Sequence, residues 1–153
     1  MANGILRAAT FALVGTAVLC LGGCDRKPAA DQPRIDIVYT SPHPVINEII
    51  KGFKSAVQKA YPKAEFIERH ANGRPEEYSA TVLAAINDRP MLLAPITTPI
   101  TTLAVEQARG SVPIVFMGVT DPVGAHVANS IDKPGIATGS SDLCPFAALL
   151  DVV

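Results

Sequence analysis

Short polar segments follow three of the apolar, strand-like runs in this sequence. They read Thr40-Ser41-Pro42-His43-Pro44, Thr97-Thr98-Pro99 and Thr120-Asp121-Pro122. In each segment a proline suits the first turn of a helix, and the small polar residue or histidine before it suits the cap. Helix amino termini carry unpaired N–H groups and partial positive charge, which favour carboxylates and other anions. The three segments therefore predict a site for a small polar or zwitterionic ligand.

The residue types in these segments suggest separate roles in binding. The hydroxyls of Thr97, Thr98 and Thr120 both donate and accept hydrogen bonds, Asp121 accepts from an ammonium or a hydroxyl, and the His43 ring stacks or bonds. The alternative is that each residue is only a helix cap. Convergence of three such segments favours the binding interpretation.

An enzymatic interpretation has less support. Ser41, His43 and Asp121 have the residue types of a hydrolytic triad, but Ser41 lies next to proline and outside any Gly-x-Ser-x-Gly turn. His70 and His126 lack metal-ligand spacing and are expected at the surface. The glycines do not form a phosphate-binding loop. The sequence therefore predicts a protein that is not an enzyme, with no metal and no cofactor.

Strand-like and helix-like segments alternate along the chain. The strand candidates are Ile35–Tyr39, Ala64–Glu68, Met91–Ile96, Pro113–Val119 and Ile136–Gly139, and the helix candidates are Val45–Ala60, Glu76–Asn87 and Pro99–Arg109, with a short helix or loop from Asp121 to Ser130. This alternation predicts a doubly wound parallel α/β sheet. The polar segments then share the carboxyl edge of the sheet, near its topological switch point. Because proline removes a ladder donor, we expect the third strand to end before Pro95 or to bulge there.

The amino terminus is typical of an export signal. Arg7 precedes the apolar stretch Ala8–Leu21, which as a helix would span roughly 21 Å, less than the ~30 Å of a bilayer core. Leu21-Gly22-Gly23-Cys24 resembles a bacterial lipobox, so residues 1–23 are predicted to be a lipoprotein signal peptide and Cys24 the lipidated residue. Residues 24–33 are polar and carry proline, and are predicted to be a tether.

Composition limits the class of protein. The chain has 153 residues, a formal net charge of -1 and 48% hydrophobic residues. This length fits one domain. The chain also lacks the excess of basic residues that binding to a phosphate backbone needs. We therefore expect one folded domain and no nucleic-acid partner. Cys144 is left alone in the mature chain, so a disulfide framework is excluded.

Several segments resemble one known family. Val115–Ala125 (VFMGVTDPVGA), Lys133-Pro134-Gly135 and Thr138–Asp142 (TGSSD), with His43-Pro44 and Thr97-Thr98-Pro99, are similar to the substrate-binding lipoproteins of ABC transporters in the tryptophan/tyrosine-binding group. The resemblance covers about residues 34–153, and Val-Thr-Asp-Pro-Val-Gly is its most specific part.

The resemblance implies a type I periplasmic-binding fold, in which two α/β lobes close over a ligand that is handed to membrane permease subunits. The family's ligand contacts would carry over to His43, Thr97, Thr98, Thr120 and Asp121, and less directly to Ser140 and Asp142. Because Val153 falls about where the family crosses into its second lobe, residues 34–153 are expected to form the N-terminal lobe alone.

The expected function is that of a solute-binding component of an ABC importer. It would be anchored by lipid to a bacterial membrane, facing the periplasm or the cell exterior, and would bind a ligand such as an amino acid. The alternatives are a lipoprotein sensor or partner-docking module, or a truncated fragment without a transport role.

Overall fold

The computed structural model describes residues 32–130, 132–133 and 135–143. The predicted signal peptide, Cys24, most of the predicted tether and Cys144 lie outside the described residues. Pro33, placed at the end of the tether, is buried, and its carbonyl accepts a hydrogen bond from Glu65 N at 2.9 Å. The folded body therefore includes Pro33. Within the described residues, no helix is long and apolar enough to cross a membrane.

The described part of the chain forms five parallel strands and three helices. The strands are β1 (Arg34–Tyr39), β2 (Glu65–His70), β3 (Leu92–Pro95), β4 (Ile114–Val119) and β5 (Ala137–Ser141), and the helices are α1 (Pro44–Ala60), α2 (Pro75–Asn87) and α3 (Thr98–Ala108). The strand order is β2-β1-β3-β4-β5, with every pair parallel. The predicted α/β class and its doubly wound parallel sheet are confirmed, and the topological switch point lies between β1 and β3.

The core has two layers, one on each face of the sheet. On one face, Ile46 and Ile50 of α1 pack against Ile35, Ile37 and Met117. On the other face, α2 and α3 contribute Val82, Ile100 and Ala104, which pack with the strand residues Val38, Leu93, Ile114 and Phe116. Alternate residues of a strand point to opposite faces, so β1 supplies both layers.

Pro95 does not end β3 early, contrary to the expectation from sequence. It is the last residue of the strand and pairs with Val38 of β1. Towards β4 the register is the same on both sides of it, since Leu93 pairs with Ile114 and Ile96 with Met117. Leu93 N and Thr97 N donate to Pro113 O and Met117 O of the β4 side. Pro95 therefore costs the β3–β4 ladder one donor and introduces no bulge.

The irregularity of the sheet lies instead in β4. The β4–β5 register shifts between Met117 and Val119, where Gly118 has a φ of 61°. Opposite β4, Gly139 has no room for a side chain, because a Cβ would collide with the backbone oxygen of Phe116 and come within 2.6 Å of its ring. The two glycines thus allow β5 to lie close against β4, at the end of the sheet that carries the third polar segment.

A charged network fixes β1, β2 and α2 together. Asp36 is fully buried in β1, and its two oxygens accept from Arg34 Nε at 3.3 Å and from Arg69 Nε at 3.0 Å. Asp88, at the C-cap of α2, accepts from the NH2 groups of the same two arginines. A buried carboxylate is tolerated only when it is paired, and here two arginines pair with it.

Candidate functional site

All of the sequence-predicted ligand residues lie at the carboxyl edge of the sheet. His43 follows β1, Thr97 and Thr98 follow β3, Thr120 and Asp121 follow β4, and Ser140 and Asp142 lie at the end of β5. These four strands are neighbours in the order β1-β3-β4-β5. The residues of the first two groups flank the switch point between β1 and β3, where open α/β sheets bind ligands.

His43 is the N-cap of α1. Its φ of -150° is extended, Pro44 occupies the first helical position, and Val45 N donates to His43 Nδ1 at 3.3 Å. Because Nδ1 accepts this bond, the neutral ring carries its proton on Nε2. The residue is exposed. His43 therefore caps α1, and its exposed ring is accessible to a ligand.

The loop that carries His43 is braced by the turn between β2 and α2. Gly73 N donates to Thr40 O at 2.9 Å, and Arg74 N donates to Ala71 O at 2.9 Å. Asn72 and Gly73, at the centre of the turn, have φ of 52° and 75°, as in a type I′ turn. The turn thus holds the first residue of the β1–α1 loop.

Thr97 has an unusual conformation at the N-cap of α3. Its φ of 77° and ψ of 152° lie in a region that β-branched residues rarely adopt and that costs on the order of 1–3 kcal/mol. Its Oγ1 is buried and finds no hydrogen-bond partner among the described residues. Unlike His43, its side chain makes no cap bond with the described backbone. The strain and the unpaired hydroxyl coincide at one residue beside the switch point.

The main chain of Thr97 is nevertheless firmly held. Thr97 N donates to Met117 O at 3.1 Å, and its carbonyl accepts from Thr101 N at 3.1 Å and Thr101 Oγ1 at 2.8 Å. Thr98, partly buried, begins the helix, and its carbonyl accepts from Thr102 Oγ1 at 3.1 Å. These bonds secure the strained backbone, so the hydroxyl of Thr97 is held in place without a partner.

The segment after β4 forms turns rather than a helix. Asp121 Oδ1 accepts from Gly124 N at 2.8 Å, and Ala125 N donates to Asp121 O at 2.9 Å. Val127 N and Ala128 N both donate to Pro122 O, and His126 has a φ of 56°, so the chain leaves the helical path after one turn. Pro122 was expected in the first turn of a helix, but only a single turn follows it. Asp121 is exposed and caps it, and Thr120 is exposed beside it.

Ser141 connects the end of β5 to the end of β4 by hydrogen bonds, although it is not among the ligand residues predicted from the sequence. Ser141 Oγ donates to Thr120 O at 2.9 Å and accepts from Leu143 N at 3.0 Å. Asp142 N donates to Val119 O at 3.3 Å, and the side chains of Ser140 and Asp142 are exposed. Nothing in a run of two serines indicates which hydroxyl faces the neighbouring strand, since that depends on the register.

Apolar side chains surround the polar edge. Val45, Val123 and Leu143 are all large and exposed, Val45 by 61%. They follow the same three strand ends as His43, Asp121 and Asp142. The edge therefore offers apolar surface beside its polar groups, an arrangement typical of small-molecule sites.

A second polar cluster lies behind the edge, between β1, β2 and α1. Tyr39 Oη donates to Glu68 Oε2 at 3.1 Å, and Lys54 Nζ donates to Glu68 Oε1 at 2.5 Å. The hydrogen bond from Lys54 lowers the pKa of Glu68. Burial, followed by the bond to Glu68, raises the pKa of Tyr39. Both shifts favour the ionised carboxylate and the neutral phenol, so the cluster is a stable support for the end of β1.

His70 was expected at the surface and is half-buried. It pairs with Tyr39 across β1 and β2, and the two rings lie 5.3 Å apart. Its Nδ1 is buried without a partner among the described residues. Its place at the end of a strand, opposite an aromatic residue, draws the ring into the fold. His126 is exposed. Within the described chain, no three His, Cys, Asp or Glu side chains are grouped to hold a metal ion.

This chain is similar to known proteins over most of its length. Residues 34–152 match the family model for ABC transporter substrate binding proteins. A tyrosine-binding protein from Clostridioides difficile is 30% identical over 127 residues, which cover 80% of this chain and 36% of the relative. The chain thus spans about a third of that relative's length.

Solved structures share the fold. A conserved domain protein from Vibrio cholerae has a TM-score of 0.70 and 28% identity, over 79% of this chain and 42% of that one. An ABC domain from Streptococcus pneumoniae in complex with L-Trp has a TM-score of 0.67 and 22% identity, over 73% and 39%. A ligand-free, open substrate-binding protein with adhesive properties from Clostridium difficile has a TM-score of 0.70 and 24% identity, over 78% and 43%.

The matched family consists of substrate-binding proteins rather than enzymes, which agrees with the expectation from sequence. The matched region includes the whole sheet and every residue of the candidate site. This chain belongs to the family of ABC transporter substrate-binding proteins.

Proposed function

We propose that this chain binds a small zwitterion, such as an amino acid, at the carboxyl edge of its sheet. It would act as a lipid-anchored, extracytoplasmic component of an ABC importer that passes the ligand to membrane permease subunits. The observation that carries the binding proposal is Thr97, whose strained backbone and buried hydroxyl, unpaired among the described residues, lie at the amino terminus of α3. Substrate-binding proteins of ABC transporters are extracytoplasmic, and that of Clostridioides difficile is named for tyrosine.

The polar groups suit the two charges of an amino acid. A carboxylate is favoured at the amino terminus of α3, where backbone N–H groups, Thr97 Oγ1 and Thr98 offer donors. The exposed carboxylate of Asp121 is suited to an ammonium, because its Oδ1 accepts only one backbone bond from Gly124. Val45 and Val123 supply apolar surface for a side chain. In this arrangement the carboxylate of the ligand lies at the end of β3 and its ammonium lies at the end of β4.

The binding proposal is tested by nuclear magnetic resonance titration of the chain with L-Trp, L-Tyr and an uncharged analogue. On the contacts of a single edge we expect weak binding, with a dissociation constant of about 1 mM, equivalent to about −4 kcal/mol. Shifts should concentrate at residues 97–101 and 120–124. If neither amino acid shifts these signals at concentrations well above that value, the binding proposal is wrong.

Asp121→Asn is expected to weaken amino-acid binding about fivefold, or roughly 1 kcal/mol, because the exposed pair with the ammonium loses its charge. The amide oxygen can still accept from Gly124 N, so the melting temperature should change little. Titration and thermal melting of the same variant separate the two roles. A lower melting temperature with unchanged affinity would mean that Asp121 is only a cap.

The lipid anchor is tested at Cys24. Because processing and lipidation both need the thiol, Cys24→Ser is expected to leave an unprocessed precursor without acyl label. Labelling cells with a radioactive or clickable fatty acid gives the readout. Cys20→Ser, within the apolar stretch that precedes Cys24, is the matched control and should be labelled normally. Acyl label retained by the Cys24 variant would rule out the anchor.

A further inference from the structure

The turn between β2 and α2 places an asparagine before a glycine at the protein surface. Asn72 and Gly73 are both exposed and both have positive φ. The absence of a Cβ at Gly73 leaves its backbone nitrogen open to approach the side-chain carbonyl carbon of the residue before it. An asparagine followed by glycine is for this reason chemically labile.

We propose that Asn72 is a site of spontaneous deamidation, gated by the hydrogen bond between Gly73 and Thr40. In the first step the Gly73 nitrogen forms a bond to Asn72 Cγ, and the bond from Cγ to the side-chain nitrogen breaks. That nitrogen leaves as ammonia with the proton given up by Gly73. Water then opens the cyclic imide at one of its two carbonyl carbons, which yields aspartate or isoaspartate. Bulk water is the only co-reactant.

The gate follows from the contacts of Gly73. Its nitrogen, the attacking atom, donates to Thr40 O at 2.9 Å in the folded chain. The turn is also closed by the bond from Arg74 N to Ala71 O. The nitrogen cannot reach Cγ while both bonds hold the turn in its positive-φ conformation. The reaction therefore requires local opening of the turn away from the β1–α1 loop, and its rate reports that opening.

The product alters the brace of the candidate site. Either product adds a negative charge at residue 72, and isoaspartate adds one carbon to the main chain of a turn whose Gly73 N donates to Thr40 O. A longer turn cannot keep both closing hydrogen bonds. We expect the β1–α1 loop, which ends at the cap residue His43, to lose protection from hydrogen exchange after deamidation.

The test follows isoaspartate at Asn72 by peptide mapping in the full chain at mildly alkaline pH, with and without urea. Mapping also separates Asn72 from Asn3, the other asparagine followed by glycine. We expect isoaspartate at Asn72 in the folded chain, formed at least about tenfold more slowly than in the unfolded chain. The matched control is Asn129, which is exposed but followed by serine and should convert later than Asn72.

One result would overturn the modification site, and either of two others would overturn the gate. Absence of product at Asn72 in the folded chain, once the unfolded chain has fully converted, would show that Asn72 is not a modification site. Equal rates in the two states, or fast hydrogen exchange at the Gly73 amide, would show that the bond to Thr40 is not the gate. Asn72→Asp supplies the reference mass and stability of one product. None of these readouts depends on ligand binding.

Discussion

Asp36→Ala is expected to lower the free energy of unfolding by about 3 kcal/mol or more, because removing one member of a buried ion pair leaves its partners unpaired. Asp36 is fully buried, and it accepts from both Arg34 and Arg69, each of which is 25% exposed. Without it, two guanidinium groups face each other across β1 and β2 and share only Asp88. Urea denaturation followed by circular dichroism measures the loss.

Asp88→Ala is the matched control for this experiment. Asp88 contacts the same two arginines, but its side chain is 46% exposed. Exposed ion pairs contribute at most about 1 kcal/mol, so this variant should lose much less stability than Asp36→Ala. Equal losses for the two variants would contradict the conclusion that burial determines the contribution of Asp36.

Thr97→Val is expected to weaken amino-acid binding by about 10- to 100-fold, or roughly 1.5–3 kcal/mol, the range for a hydrogen bond to a charged group. The same change should leave stability unchanged or raise it. Valine keeps the branched shape of threonine and removes a buried hydroxyl that has no partner among the described residues. The affinity measured by titration should therefore fall, while the melting temperature stays the same or rises.

Two further variants separate the hydroxyl of Thr97 from its strained backbone. Thr97→Ser keeps the hydroxyl and should retain binding. Thr97→Gly relieves the strain at a φ of 77° but loses the hydroxyl, so it should melt at a higher temperature and bind as weakly as the valine variant. If Thr97→Val loses stability and keeps affinity, the hydroxyl serves the structure and not the ligand.

Local patterns of the sequence were enough to predict the elements. Ile46, Ile50 and Phe53 recur at helical spacing, and α1 begins and ends within one residue of the predicted range. Short apolar runs such as Ile114–Val119 suit strands buried on both faces, and β4 occupies that run. The alternation of strands and helices then predicts that the strands are parallel. The carboxyl ends of parallel strands lie at one edge of the sheet, so the polar segments that follow them share that edge.

The place of the candidate site residues in the fold could be predicted from the sequence, but their atomic contacts could not. The positive φ of Thr97 could not be predicted, because threonine gives no signal for a conformation that glycine ordinarily adopts. The contacts of Ser141 with Thr120 and the pairing of His70 with Tyr39 depend on strand register. Arg69, one of the two partners of Asp36, lies on another strand and far along the chain, so no local pattern of sequence could indicate this pair.

Pro95 makes the two sides of β3 mechanically unequal. Towards β1 the ladder is continuous from Ile35–Leu92 to Val38–Pro95, and Ile96 N adds a bond to Val38 O. Towards β4 one donor is missing between the bonds of Leu93 and Thr97. Shear between strands meets less resistance where hydrogen bonds are fewer. The β3–β4 ladder should therefore resist shear less than the β1–β3 ladder, and it separates the half of the sheet that carries Thr120 and Asp121 from the half that carries His43 and Thr97.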